Sequence, residues 1–279
     1  MPNVAFINGA FVPLTEAKVS IEDRGFQFGD GVYEVIRTYG GRPFALEAHL
    51  ARLDRSATAL DLIQPYSRAE WTDHILEGVR RAAFSEAKIY IQLSRGVAPR
   101  DHAYPLDLTP TVVMTVREFH SLDKSVQAAG VDAMTTEDIR WGRCDIKSVN
   151  LLANVLARQQ VKQAKVFEAI LIKAGVVTEG AVSTVMVVRE GTVMTAPEGR
   201  HILSGVTRSV VLDLALTEGI PVQEHCIPLA ELYTADEVFL TGTTVEVLAV
   251  VRIDGKVIGD GRPGPITQRL AAGFRKRVG

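Results

Sequence analysis

Short strands and amphipathic helices are interleaved along this chain without the strand, helix, strand regularity of a doubly wound sheet, and that irregular order limits the fold more than any other feature. Val4 to Ile7 and Ala10 to Val12 flank Asn8-Gly9, a pair suited to a two-residue type I′ hairpin. After the glycine-punctuated segment RGFQFGDG at 24–31, VYEVIRTY at 32–39 alternates and stops at Gly40-Gly41, and a further strand is expected over Arg42 to Leu46. Leu50, Leu53, Ala57 and Leu60 then recur at helical spacing within Glu47 to Leu62. Trp71, Ile75, Leu76 and Val79 do so within Ser67 to Phe84, where Ser67 and Glu70 form a capping box. Strands at Lys88 to Ser94 and Thr111 to Val116 enclose a loop from Arg95 to Pro110, long enough to suggest a function.

The second half reads differently. A β-compatible run from Val131 to Trp141 leads to a helix marked by Leu151, Leu152, Val155 and Leu156. Strands follow at Glu168 to Ile172, Val185 to Val188 and Val193 to Thr195, then a helix over Val206 to Glu218. More strands are expected near Val222, at Val238 to Leu240 and at Val245 to Ile253, before an Asp254-Gly255 turn and a final basic helix. This order predicts α+β layers or a mixed barrel. A length of 279 residues suggests two domains at roughly 150 residues each. The periodicity lapses between Glu118 and Val126, so the expected division is a domain at 1–117, a linker at 118–126 and a domain at 127–279.

Several classes of function are disfavoured. The net charge of −2, with basic residues scattered, leaves no footprint for nucleic acid or an anionic membrane. Cys144 and Cys226 are too few for a disulfide framework or a four-ligand zinc site, and no metal centre is expected. No apolar window approaches a membrane span, the N-terminus MPNVAFINGAFVP is unlike a secretory leader, and a cytoplasmic protein is expected. G-x-G-x-x-G after a strand, G-x-S-x-G and H-E-x-x-H are all lacking.

The chemistry concentrates around Lys147 in DIRWGRCDIKSVNLL, 138–152. Read from spacing alone it lies near a helix start, where partial positive charge favours a neutral amine fit for Schiff-base formation. By itself it would pass for a solvated lysine. Downstream, Glu179 sits in TEGAVSTV at 178–185, read as a turn between strands, where a glutamate is ordinarily solvated. LSGVTR at 203–208 brings Gly205, Val206 and Thr207 to a helix start, an arrangement able to cradle phosphate. TGTT at 241–244 adds small hydroxyl residues after a strand, which alone is an ordinary turn.

In this order RGFQFGDGVYEV, PRDH, DIRWGRCDIKSVNLL, TEG, LSGVTR and TGTT resemble the fold-type IV pyridoxal-phosphate enzymes, the group of branched-chain and D-amino acid aminotransferases, and within it the D-amino acid branch. The resemblance implies an α+β protein of two domains, an N-terminal α/β sandwich and a C-terminal mixed pseudo-barrel. It implies pyridoxal 5′-phosphate as cofactor, held as a Schiff base by Lys147, with Glu179 at the pyridine nitrogen. Arg52, Val206, Thr207 and Thr243 would bind its phosphate, Leu203 would pack on its ring, and Arg140 would lie near its 3′ oxygen. Tyr33, Arg100 and His102 would take the substrate carboxylate, the loop carrying the last two reaching across from the other subunit of a homodimer. The implied activity moves an amino group from a D-amino acid such as D-alanine to a 2-oxo acid such as 2-oxoglutarate.

The chain departs from that pattern at Ala181, Val182, Ser183 and Thr184, where serines and an asparagine are common, and at Gly242, where a serine is usual. Fewer hydroxyls mean fewer hydrogen bonds to a cofactor. On the same fold, a branched-chain L-aminotransferase or an aminodeoxychorismate lyase is the alternative, and Arg37 resembles an arginine of the branched-chain enzymes. A carrier that binds the cofactor without turnover is a third reading, disfavoured by Tyr33, Arg100 and His102.

Overall fold

The computed structural model describes residues 4–279; the first three residues of the N-terminal stretch read for a leader lie outside them. The architecture is α+β, and the chain forms two compact units. One runs to His120 and also contains Ile146–Asn150; the other holds Ser121–Asp145 and Leu151–Gly279. Among the described residues no helix is long and apolar enough to cross a membrane.

The first unit is built on strands β1 (Val4–Ile7), β2 (Ala10–Pro13), β3 (Gly31–Tyr39), β4 (Arg42–Pro43), β5 (Ala87–Ser94) and β6 (Thr111–Glu118), with helices α1 (Arg24–Phe28), α2 (Leu46–Thr58) and α3 (Arg68–Ala82). The strands form one antiparallel sheet in the order β2-β1-β6-β5-β3-β4. Asn8 and Gly9 take φ of 45° and 96°, so the first hairpin turns in two residues as the Asn-Gly pair predicts. Ser67 caps α3 with the reciprocal Glu70 bond of a capping box. Leu50, Leu53, Trp71 and Ile75 from the helices pack with Phe6, Ile36, Ile89 and Ile91 of the sheet in a closed core. The strand expected over Arg42 to Leu46 ends at Pro43, which brings no N–H to the ladder, and α2 begins at Leu46.

The loop between β5 and β6 has a fixed base. Gly96 has φ of 111°, and a Cβ there would stand 2.0 Å from the Thr109 carbonyl oxygen, so only glycine closes the loop this tightly.

The second unit contains strands β7 (Val131–Glu137), β8 (Glu168–Lys173), β9 (Val176–Gly180), β10 (Thr184–Arg189), β11 (Thr192–Thr195), β12 (Val222–Glu224), β13 (Ile227–Pro228), β14 (Glu237–Gly242), β15 (Glu246–Ile253) and β16 (Lys256–Val257). Its helices are α4 (Lys124–Ala129), α5 (Leu152–Ala164), α6 (Val206–Thr217), α7 (Leu229–Tyr233) and α8 (Pro265–Val278). The sheet runs β12-β11-β10-β14-β15-β7-β8-β9-β13, with β16 beside β15. It is mixed: β11/β12, β15/β7 and β7/β8 pair in parallel and the other pairs are antiparallel. Its central strands β10, β14 and β15 are buried on both faces, which is why they read as near-continuous apolar runs.

Three local features add to or depart from the sequence reading. Residues 124–129, within and just beyond the stretch read as linker, form α4. The apolar positions that announce α5 do not face a core: Leu152, Val155 and Leu156 are 69%, 59% and 48% exposed, while Ala157 and Val161 are buried. Spacing reveals that a helix has an apolar face, not what covers it. Finally, α5 starts at Leu152, so Lys147 is not in its first turn, and a helix dipole that fades within one turn does not govern the Lys147 amine.

Candidate active site

Lys147 is placed by β3 instead. Its carbonyl accepts the Tyr33 N–H at 2.9 Å, and its own N–H donates to Ser56 Oγ at 3.1 Å. Val149 N–H donates to the Gly31 carbonyl at 3.0 Å, and Ser148 bridges Val32. The backbone on both sides of the lysine is therefore fixed, while its amine lies 4.3 Å from the centre of the Tyr33 ring. Among the described residues no carboxylate pairs with that amine.

A charge is buried beside it. Val32, Glu34 and Ile36 share one face of β3, and all three are fully buried. Glu34 is tolerated there because Arg52 from α2 grips it with two donors, Nε to Oε1 at 2.7 Å and Nη2 to Oε2 at 2.8 Å, while His49 Nδ1 lies 2.8 Å from Oε2. Burial alone would push the Glu34 carboxyl up, but the Arg52 charge and fork, with His49, hold it at about 2. Burial pushes the His49 imidazole below its ordinary value, against the pull of Glu34 and with the charges of Arg52 and Lys147. Neutral His49 then donates from Nδ1.

Arg100 and His102 come together on the β5–β6 loop. The Arg100 guanidinium is 4.5 Å from the centre of the Phe28 ring, and the His102 ring is 5.5 Å from it. Both side chains are exposed, and among the described residues neither meets a carboxylate. Tyr33 stacks on Tyr90 at 5.8 Å. Arg37 is buried between the Tyr39 and Phe119 rings, at 4.2 and 4.6 Å, and paired with Glu86.

In the second unit Glu179 is not in a turn. It lies in β9, buried, and accepts the Leu203 N–H at Oε1 and Arg140 Nη1 at Oε2, the latter at 2.6 Å. Arg140 is itself clamped by Asp138, Nε to Oδ1 at 2.9 Å and Nη2 to Oδ2 at 2.8 Å, and Thr178 Oγ1 donates to the same carboxylate at 2.7 Å. Burial opposes ionisation of Asp138, but Arg140 and Thr178 outweigh it and hold the carboxyl below its ordinary value.

Val206 and Thr207 open α6, buried, after Gly205, and among the described residues no side chain caps the helix. Its first N–H groups are thus left for another acceptor. A Cβ on Gly205 would stand 2.9 Å from Thr184 Oγ1, so Thr184 faces this helix start. Thr241 lies opposite Thr184 in the ladder, on the same face, and its buried Oγ1 has no hydrogen-bond partner among the described residues. An uncapped helix start, a close glycine and an orphaned hydroxyl fit an anion such as a phosphate. Thr243 occupies the turn from Gly242 to Val245 that joins β14 to β15. A Cβ at Gly242 would meet its nearest neighbour at 3.4 Å, so packing leaves room for the more usual serine.

Sequence reading gave no role to Glu34, His49 and Asp138, and met Thr184 only as a departure from the family pattern. Glu34 had a signal, a charge in register with Val32 and Ile36, and Asp138 had one in its two-residue spacing from Arg140 along an extended segment. His49 had none.

Residues 31–253 match the sequence profile described as amino-transferase class IV. The chain belongs to this family of aminotransferases. Relatives within it include the D-alanine aminotransferase of Bacillus licheniformis, 44% identical over 97% of this chain and 95% of that protein. The D-alanine aminotransferase of Staphylococcus haemolyticus is 42% identical over 98% and 97%. Among solved structures, the branched-chain amino acid aminotransferase of Escherichia coli superposes with a TM-score of 0.92 at 27% identity, covering 99% of this chain and 94% of that one. That of Thermoproteus uzoniensis does so with a TM-score of 0.88 at 31% identity, covering 99% and 94%.

Proposed function

We propose that this protein is a pyridoxal-phosphate D-amino acid aminotransferase, moving the amino group of a D-amino acid such as D-alanine to a 2-oxo acid such as 2-oxoglutarate. The observation that carries the reading is its likeness, at 44% identity over nearly the full chain, to a D-alanine aminotransferase. The branched-chain alternative is favoured by the solved structures of similar fold, which are less alike in sequence, at 27% and 31%. Arg37, the residue that resembles those enzymes, is engaged with Glu86, Tyr39 and Phe119.

When bound, pyridoxal phosphate supplies an electron sink for the pair released at the substrate Cα. Lys147 would hold it covalently and, once displaced by substrate, would take the proton from Cα at Nζ and pass it to the cofactor carbon that bears the transferred nitrogen. A fixed backbone, with an amine that no carboxylate among the described residues pairs with, suits both tasks. Glu179, oriented by Arg140 and the Leu203 N–H, would pair with the pyridine nitrogen as a fixed acceptor. Val206, Thr207 and Thr243 would hold the phosphate, Arg52 would lend its charge, and Leu203 would pack on the ring. Arg100, His102 and Tyr33 receive the substrate carboxylate, which fixes the hand whose Cα hydrogen meets Lys147.

The working unit in this proposal is a homodimer whose site is completed by the partner subunit, and the cytoplasm is its place. Exposed Ile21, Phe26, Val97 and Leu106 in and around the β5–β6 loop support the dimer, as does the bare apolar face of α5. Two free cysteines fit a reducing compartment. Racemic alanine incubated with 2-oxoglutarate and the holoenzyme tests the activity by chiral chromatography: D-alanine is expected to disappear, and faster loss of L-alanine would overturn the reading.

A further inference from the structure

The segment RGFQFGDG opens with Arg24, to which nothing above assigns a task. It is almost fully buried, and each of its three nitrogens has a partner. Nε donates to Asp30 Oδ2 at 2.8 Å, Nη1 to the Asp101 carbonyl at 2.6 Å and Nη2 to the His102 carbonyl at 3.1 Å. The Arg24 N–H also donates to the Gly96 carbonyl at 2.9 Å, at the base of the same loop. Its guanidinium lies 4.7 Å from the centre of the Phe28 ring, against which Arg100 and His102 also rest. Asp30 Oδ2 accepts Arg95 Nε at 2.8 Å as well, and the Arg95 guanidinium is 3.5 Å from the Tyr104 ring.

We propose that Arg24 is a positioning residue that holds the Asp101–His102 backbone so that Arg100 and His102 are set for the substrate carboxylate before it arrives. This rests on the reading of those two residues as the carboxylate site. The loop has no regular structure of its own, and fixing its backbone costs roughly 1–2 kcal/mol per residue. If substrate had to order the loop, that cost would be subtracted from its affinity; Arg24 and Asp30 meet it during folding. Arginine suits the task because its planar fork serves two neighbouring carbonyls and a carboxylate together, which the point charge of lysine does not.

The test uses holoenzyme carrying Arg24→Met, Arg24→Lys, Arg100→Ala and the double change Arg24→Met with Arg100→Ala. Arg24→Met is expected to raise KM for D-alanine roughly ten- to hundredfold, the range for misplacing hydrogen bonds to a charged group. It should change kcat only a few-fold and leave the cofactor absorbance band as in the wild type. In the Arg100→Ala background it should raise KM little further, because a positioning role vanishes with the group positioned. Arg24→Lys keeps a buried cation beside Asp30 but cannot serve both carbonyls, so it should raise KM similarly, and it carries the test if Arg24→Met does not fold. An unchanged KM in a folded Arg24 variant, or fully multiplicative effects in the double variant, overturns the proposal while leaving Arg100 in place. An unchanged KM in Arg100→Ala removes the carboxylate reading itself.

Discussion

Replacing Glu34 with Gln keeps the shape of a fully buried side chain and removes the charge that Arg52 and His49 surround. The fall of the Glu34 carboxyl from an ordinary 4.5 to about 2 corresponds, at roughly 1.4 kcal/mol per pH unit, to about 3 kcal/mol of stability at neutral pH. Between those two values the unfolded chain takes up a proton that the folded chain refuses. The contribution is thus complete above pH 4.5 and is lost as pH falls through about 2. His49 acts in the same direction: its folded value is depressed, so its share is complete above its ordinary value of 6.5 and is lost as pH falls below it. Trp71 is buried in the first unit and Trp141 belongs to the second, so in a Trp141→Phe background fluorescence reports the first unit during urea unfolding. Glu34→Gln should lower its stability at pH 7 by about 3 to 5 kcal/mol, the upper end reflecting an Arg52 left buried without its carboxylate. It should also flatten the acid limb between pH 5 and 2. A loss below about 1 kcal/mol, or an acid limb parallel to that of the wild type, would refute the account of Glu34 as a stabilising ionised group.

Lys147→Ala should abolish borohydride fixation of the cofactor and lower transamination by at least about a hundredfold, the low end for losing a general acid–base group; ordinary turnover would remove Lys147 from the chemistry. Glu179→Gln should retain cofactor yet slow Cα deprotonation roughly ten- to hundredfold, as expected for a lost charge-assisted hydrogen bond, and an unchanged single-turnover rate would exclude it. Of the two thiols, exposed Cys226 should react with a disulfide reagent at pH 8 in the native protein. Cys144 should not: burial pushes its thiol up to about 11, Arg140 only partly opposing this, so it reacts fast only after unfolding.

Much of the architecture was legible because its causes are local. The Asn8-Gly9 hairpin, the Ser67–Glu70 cap of α3 and the alternation of β3 each depend on residues within one turn or strand. The order of motifs around Lys147, Glu179 and Gly205–Thr207 pointed to the family by the same kind of short-range pattern. Local pattern therefore supplies the inventory: which segments are strands and helices, and which motifs mark the family. Tertiary structure decided the partners. Glu34 and Arg52 are 18 residues apart, and Arg140 and Glu179 are 39 apart; Arg24 reaches a carbonyl 77 residues on. Spacing rules end after a few residues, so they could not show that β3 and not a helix start would hold Lys147, that Glu179 would be buried in a strand, or that the apolar face of α5 would be left bare. Those outcomes follow from which surfaces the sheets bring together, and a charge survives burial only where folding delivers its counter-charge.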